Sequence, residues 1–308
     1  MQNKIIVILG PTASGKTDLS IKLALRLSSG QAKKFNAEIV SADSRQVYKE
    51  MDIGSGKITK KETQGIPHHL LDVANPKRKF TVSQYQKLAL KTIKNIQKRG
   101  KLPFLVGGSP FYIRSIANGI AIPKVKPDWK LRKKLEKLTI EQMFEKLEKL
   151  DPKRAKTIDK HNPRRLIRAL EIVIKTGRPV PLGVRPGSDP GLTPLGVLEI
   201  GIKKSPEELK KNIQKRLLKR LKNNAMIKEV KKLRASGLSW KRLEEFGLEY
   251  RFVAQYLQKK IAKSEMINKI KKESEHFSKR QMTWFKKDQR IHWITNQKEA
   301  EKLIKQFI

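Results

Sequence analysis

Short apolar runs alternate with amphipathic stretches through the opening of the chain. Ile5 to Leu9, Ala37 to Ser41 and Leu102 to Val106 are each bounded by polar residues or glycine, and helical patterns separate them. Leu19, Leu23 and Leu27 recur at helical spacing after the first run, and Ser83 to Lys98 carries a second such pattern. Short strands separated by helices predict an α/β fold, a parallel sheet wound by helices. Gly100 marks the stop of the helix before the third run. Pro103 sits near a strand start, where a missing N–H is tolerated. Ligands in such sheets gather at the carboxyl ends of the strands, so the residues just after each run are the candidates for chemistry.

From residue 121 the pattern changes. Pro123 and Pro127 lead into two basic helical stretches, Trp129 to Lys149 and Pro163 to Lys175, with few strand formers. They predict an all-helical insertion over 121–194, placed between a first core segment, 1–120, and a core completion with C-terminal helices, 195–308. Gly177 to Gly196 is too rich in proline and glycine for regular structure and reads as a linker or loop. Val197 to Ile202 predicts a further core strand, and Ile291 to Ile294 a last one.

Composition narrows the classes. A chain of 308 residues can bury a core without disulfides, and this one has no cysteine, which excludes a thiol nucleophile and a thiolate metal site. No apolar run approaches the length of a membrane span. Met1 to Leu9 reads as a strand rather than a cleavable signal, because Gly10 to Thr17 follows at once. The expectation is a soluble, cytoplasmic protein. Charge alters the picture more: 70 Lys plus Arg against 29 Asp plus Glu give a formal net charge of +41, which points to a polyanionic partner, although lysine-favouring codon usage would raise the same figure. The densest stretch, Lys203 to Arg234, sets Lys210, Lys211, Lys215, Arg216, Lys219, Arg220 and Lys222 around Ile213, Leu217, Leu218 and Leu221. It predicts an amphipathic helix with a basic outer face. Alone this is a solvated face; beside a phosphate site it suggests nucleic acid.

The first strand feeds directly into Gly10, Pro11, Thr12, Ala13, Ser14, Gly15, Lys16 and Thr17, which fit the phosphate-loop pattern GxxxxGK[ST]. Successive backbone N–H groups of such a loop point inward, Lys16 adds a positive charge, and the N-terminus of the following helix faces the anion. The second strand ends in Ser41-Ala42-Asp43-Ser44-Arg45-Gln46-Val47-Tyr48. A carboxylate at Asp43 can bind Mg²⁺ through water or accept a proton, and the competing reading is a cap on the next turn. The third ends in Gly107-Gly108-Ser109-Pro110-Phe111-Tyr112, which lets the backbone approach a ligand and presents a hydroxyl, or simply makes a tight turn. His68 and His69 are adjacent, point to opposite sides of a strand and lack a third ligand, so they do not read as a metal pair.

Seven ordered segments together resemble the tRNA dimethylallyltransferase (tRNA isopentenyltransferase) family. They are GPTASGKT at Gly10 to Thr17, SADSRQVY at Ser41 to Tyr48, PHHLLD at Pro67 to Asp72, VGGSPFY at Val106 to Tyr112, PRRLIRALE at Pro163 to Glu171, FGLEYR at Phe246 to Arg251 and KRQMTWF at Lys279 to Phe285. The resemblance runs nearly end to end. It implies a P-loop NTPase-like core with an inserted helical tRNA-binding subdomain. It further implies transfer of a dimethylallyl group from dimethylallyl diphosphate to the exocyclic amine of the adenosine 3′ to the anticodon, by a cytoplasmic monomer that uses Mg²⁺.

The resemblance also implies roles. Asp43 is similar to the family's general base, with Lys16 and Ser109 beside it. Thr12, Ser14 and the loop amides would hold the diphosphate, Arg251 would reach it, and Thr17 would help hold Mg²⁺. Asp43, Ser44, Arg45, Gln46 and Ser109 resemble contacts to the target base and its neighbours. Lys130, Arg164, Arg165 and Arg168 resemble contacts to the tRNA from the insertion. The chain departs from the family pattern where Ser109 replaces threonine, where Pro110 replaces a more flexible residue, where Arg164 replaces glutamine and where Lys130 replaces arginine. Two other readings share the same loop: an ATP-binding small-molecule or nucleoside kinase, and a noncatalytic RNA-binding protein.

Overall fold

Why the first strand reads as an unbroken apolar run is visible in the computed structural model, which describes residues 3–29, 36–120, 122–123, 125–181 and 196–308. Strand β1 (Lys4–Leu9) lies inside a six-stranded sheet, and its side chains feed both faces. Ile5, Val7 and Leu9 join one apolar cluster while Ile6 and Ile8 join another, all fully buried. A parallel sheet covered on both sides needs this continuous apolarity rather than alternation. The other strands are β2 (Ala37–Ala42), β3 (His68–His69), β4 (Leu102–Gly107), β5 (Gly196–Ile202) and β6 (His292–Ile294). Their order is β3-β2-β4-β1-β5-β6, every pair parallel.

Thirteen α-helices are described. Three fall among the first strands: α1 (Lys16–Ser29), α2 (Val82–Lys98) and α3 (Pro110–Ala117). Four follow before β5: α4 (Trp129–Leu135), α5 (Ile140–Leu150), α6 (Pro152–Ala155) and α7 (Pro163–Thr176). Five separate β5 from β6: α8 (Pro206–Leu221), α9 (Ala225–Ala235), α10 (Trp240–Glu245), α11 (Leu248–Leu257) and α12 (Lys263–Phe285). The last is α13 (Gln297–Phe307). Helices α1 and α13 cover one face of the sheet, and α2, α3 and the group from α8 to α12 cover the other. Among the described residues no helix is long and apolar enough to cross a membrane.

Pro103 lies within a central strand, between β2 and β1, and this is tolerated because its ring nitrogen faces the start of β1. By the register, an amide at 103 would reach Lys4 O, and that carbonyl instead accepts from Gln97 Nε2 at 3.0 Å.

Two expectations are corrected. The stretch Lys203 to Arg234 is not one helix, because Asn223 and Asn224 both take positive φ, near 54°, and break it between α8 and α9. Asparagine is among the few residues that adopt this conformation readily. Nor is its basic face wholly outward: Leu218 is 58% exposed, while Arg216 and Arg220 turn into a cavity. The helix expected over Trp129 to Lys149 is likewise two, because Thr139 forms a capping box with Gln142 and starts α5 afresh. Of the proline-glycine stretch 177–196, residues 182–195 lie outside the described residues.

The chain divides into two units, one of residues 1–117 and 193–308, the other of residues 118–192. The first contains the whole sheet. The second is helical, with its own apolar cluster around Leu147, Leu166 and Leu170.

One buried carboxylate organises that second unit. Glu171 on α7 is fully buried and accepts from Asp128 N at 2.7 Å, from Arg132 Nε and Nη2, and from Arg168 Nη1. Burial alone would raise its pKa, but the Arg132 guanidinium, the Asp128 amide and Arg168 together hold it at about 2. Replacing it by leucine keeps the volume and leaves two arginines without their acceptor, so Glu171→Leu is expected to destabilise this unit by about 3 kcal/mol in urea unfolding. Because the folded pKa lies below the ordinary 4.5, the wild-type stabilisation is complete above that value and is lost as pH falls towards 2. The variant should lack this acid dependence.

Candidate active site

The loop between β1 and α1 has the backbone of an anion cradle. Gly10 at φ 152° and Gly15 at φ 89° adopt conformations closed to other residues, and a Cβ on Gly10 would sit 3.1 Å from Ser14 Oγ. Ala13 also takes positive φ, 63°, a strained position for a residue with a Cβ. Asn212 on α8 holds it there, Nδ2 donating to Ala13 O at 3.2 Å. Ser14 Oγ is buried without a hydrogen-bond partner, which costs roughly 1–3 kcal/mol until an acceptor arrives. Lys16 Nζ donates to Pro11 O at 2.6 Å. Burial, and then the charge of Arg216, lowers its pKa to about 7 despite an opposing effect of Asp43.

Arg216 projects from α8 into the same space and has no ion-pair partner among the described residues. Burial, then repulsion from Arg220, lowers its pKa to about 10. Arg220 is committed, donating to Gly54 O and pairing with Glu249. A guanidinium held half-buried near a lysine, without a carboxylate of its own, is a site built for an anion.

Asp43 stands at the end of β2 and does what both sequence readings ask of it. Oδ1 caps the turn, accepting from Arg45 N at 2.8 Å and Gln46 N at 3.3 Å, while Oδ2 has no partner among the described residues. At the end of β4, Ser109 Oγ accepts from Ser44 N at 2.9 Å, which ties the two strand ends together and leaves the hydroxyl proton to donate.

Phosphate loop, Asp43, Ser109 and Arg216 all line one cavity of about 740 Å³. Ser44, Arg45, Gln46 and Arg251 line it too. Arg45 spends its Nε on Phe246 O at 2.7 Å, and Gln46 Nε2 donates to Gly56 O at 3.1 Å, so both side chains shape the wall. Arg251 is exposed, with Nε on Glu244 O at 3.2 Å.

In the helical unit, Lys130, Arg164 and Arg165 are exposed, Arg165 lying 3.5 Å from Asp159. Arg168 instead donates inward, to Glu171 and to Val125 O.

Thr17 lines the cavity, and its hydroxyl makes no hydrogen bond among the described residues. Among those residues no three His, Asp or Glu side chains gather into a metal site. The available donors, a hydroxyl and the Asp43 carboxylate, suit Mg²⁺, which commonly completes its shell with phosphate oxygens and water.

Sequence reasoning missed Arg216, read as part of an outward basic face, and Gln281, whose contacts the motif KRQMTWF does not disclose. For Arg216 the available signal was its place beside Leu217 and three residues after Ile213, at the edge of the buried stripe.

The IPP transferase family model matches residues 46–288. A tRNA dimethylallyltransferase of Carboxydothermus hydrogenoformans is 39% identical over 313 residues, covering 100% of this chain and 97% of that one. The tRNA dimethylallyltransferase 2 of Citrifermentans bemidjiense is 41% identical over 295 residues, with 94% and 90% covered. Among solved structures, the tRNA isopentenylpyrophosphate transferase of Bacillus halodurans superposes with a TM-score of 0.70 at 33% identity, covering 99% of this chain and 95% of that one. A eukaryotic dimethylallyltransferase acting on tRNA gives 0.75 at 25% identity, with 99% and 77% covered.

Proposed function

The chain belongs to the tRNA dimethylallyltransferase (IPP transferase) family, and on that premise we propose that its cavity joins dimethylallyl diphosphate to the exocyclic amine of the adenosine 3′ to the anticodon. It is a prenyltransferase whose substrate is tRNA, and the kinase reading is not favoured. The observation that carries the finer reading is that an anion cradle and the free oxygen of Asp43 open into one cavity of about 740 Å³, within the usual range for small-molecule sites.

An adenine amine is a poor nucleophile because its lone pair is delocalised into the ring. The electrophile must therefore be made reactive and the proton removed as the new bond forms. The allylic carbon–oxygen bond of the donor breaks, the amine nitrogen bonds to the allylic carbon, and the amine proton passes to Asp43 Oδ2. Lys16, Arg216, Ser14 Oγ and the loop amides receive the negative charge that gathers on the departing diphosphate. Thr17 would help hold Mg²⁺, which would supply further positive charge to the leaving group. Ser109 donates its remaining proton towards the adenine ring.

An adenosine within a folded loop must leave its stack to reach such a cavity, so the surrounding strand has to be gripped while one base is extruded. Lys130, Arg164 and Arg165, exposed on the helical unit, have the charge for the phosphate contacts this requires. Arg168 contributes through Glu171 and the stability of that unit.

Calorimetry tests the donor assignment. With a pKa of about 7, Lys16 is mostly neutral at about pH 8 in the free protein, and a bound diphosphate restores its charge. Binding of dimethylallyl diphosphate at that pH is expected to take up nearly one proton, read from titrations in buffers of different ionisation enthalpy, and ATP should displace the ligand poorly. Tight displacement by ATP would refute the assignment.

A further inference from the structure

We propose that Gln281 is the positioning residue that holds the phosphate cradle in register with the strand ends bearing Ser109 and Asp43, an inference that rests on the function proposed above. Gln281 lies on α12 and is 4% exposed. Its Oε1 accepts from Thr12 N at 2.8 Å, and its Nε2 donates to Gly108 O at 2.6 Å. The orientation of the carboxamide follows from its partners, since a backbone N–H needs an acceptor and a carbonyl needs a donor. The fit leaves no slack: a Cβ on Gly108 would fall 2.5 Å from Nε2.

The hydrogen bonds run on from there. Gly108 precedes Ser109, Ser109 Oγ accepts from Ser44 N, and Ser44 follows Asp43. One buried amide thus links the loop that would hold the electrophile's diphosphate to the turn that would hold the nucleophile's base. The two half-sites lie on different strands, β1 on one side and β2 with β4 on the other, and a tie at the carboxyl ends is where an error in their separation would bear on the reacting atoms. The Thr12 amide, occupied by Gln281, is withdrawn from the cradle, so its part is to anchor the loop rather than to bind phosphate. A carboxamide of this length offers an acceptor and a donor together at any pH. A carboxylate would accept from Thr12 N but face Gly108 O with a lone pair.

Misplacing bound reactants by about 1 Å can cost about a hundredfold in rate while binding survives. The test compares wild type, Gln281→Glu and Gln281→Met by melting temperature, dissociation constants for dimethylallyl diphosphate and tRNA, and single-turnover transfer. Both variants are expected to bind each substrate within about threefold of wild type, yet to transfer about a hundredfold more slowly. In the glutamate variant the deficit should narrow as pH falls from about 8 to about 6, because burial against a carbonyl raises the carboxyl pKa and the protonated acid regains the missing donor. The methionine variant should show no such recovery.

A transfer rate within threefold of wild type in both variants would overturn the proposal, as would a loss confined to diphosphate affinity or a pH response identical in all three proteins. Failure of the wild type itself to transfer the prenyl group would strike the function proposed above instead.

Discussion

Asp43→Asn should lower the rate of prenyl transfer by about a hundredfold to ten-thousandfold, the usual contribution of a positioned general base. Asparagine is the sharper substitution because it separates the two roles of this side chain. Its carbonyl oxygen can still accept from Arg45 N and Gln46 N, so the turn after β2 keeps its cap. What disappears is the basicity of Oδ2, the oxygen without a partner. Affinities for tRNA and for dimethylallyl diphosphate should stay within a few-fold of wild type, and the melting temperature should barely move. Alanine would remove the cap as well and confound the two effects. A turnover near wild type in the asparagine variant would remove Asp43 as the base.

Arg216→Met should weaken dimethylallyl diphosphate about tenfold to a hundredfold, the loss of one charge-assisted hydrogen bond worth roughly 1.5–3 kcal/mol. The same change is expected to raise the melting temperature of the free protein by about 2 °C. The two effects have one cause. Arg216 is kept half-buried beside Lys16 and Arg220 with no ion-pair partner among the described residues; burial first, and then repulsion from Arg220, lowers its pKa, while burial and then the charge of Arg216 lower that of Lys16. Methionine preserves the apolar stem and relieves both the cost of burying the charge and the repulsion. Glu249, Asp43 and Asp18 offset these only in part, and the diphosphate supplies the rest in the wild type, a trade of stability for binding that is common at functional sites. Unchanged diphosphate affinity, or a lowered melting temperature, would show that Arg216 serves the fold.

The sheet was legible because parallel strands buried on both faces must be apolar throughout, as Ile5 to Leu9 and Leu102 to Val106 are. The phosphate loop was legible because its backbone needs glycine at Gly10 and Gly15, where φ is 152° and 89°, and both glycines show in the sequence, whereas the positive φ of Ala13 does not. Less legible were features set by contacts distant in sequence. Strand β3 is two histidines long, too short and too polar to register as a strand by pattern, and it exists through pairing with Ile39 and Val40. The kink at Asn223 and Asn224 interrupts a pattern of charges that continues through it. Arg216 and Arg220 look like their neighbours Lys215 and Lys219, and only the rotation of α8 about Ile213 and Leu217 turns them inward. Gln281 meets Thr12 and Gly108 across 269 and 173 positions, a pairing that no local spacing encodes.

The most direct measurement is to incubate the protein with unmodified tRNA, Mg²⁺ and labelled dimethylallyl diphosphate, then digest the tRNA to nucleosides and analyse them. The expected result is one labelled N6-dimethylallyl adenosine, mapped to the 3′ side of the anticodon, with an equal amount of diphosphate released, and formed at least about a hundredfold more slowly by Asp43→Asn. Unlabelled tRNA after full incubation with folded protein, or a phosphorylated product that appears only with ATP, would contradict it.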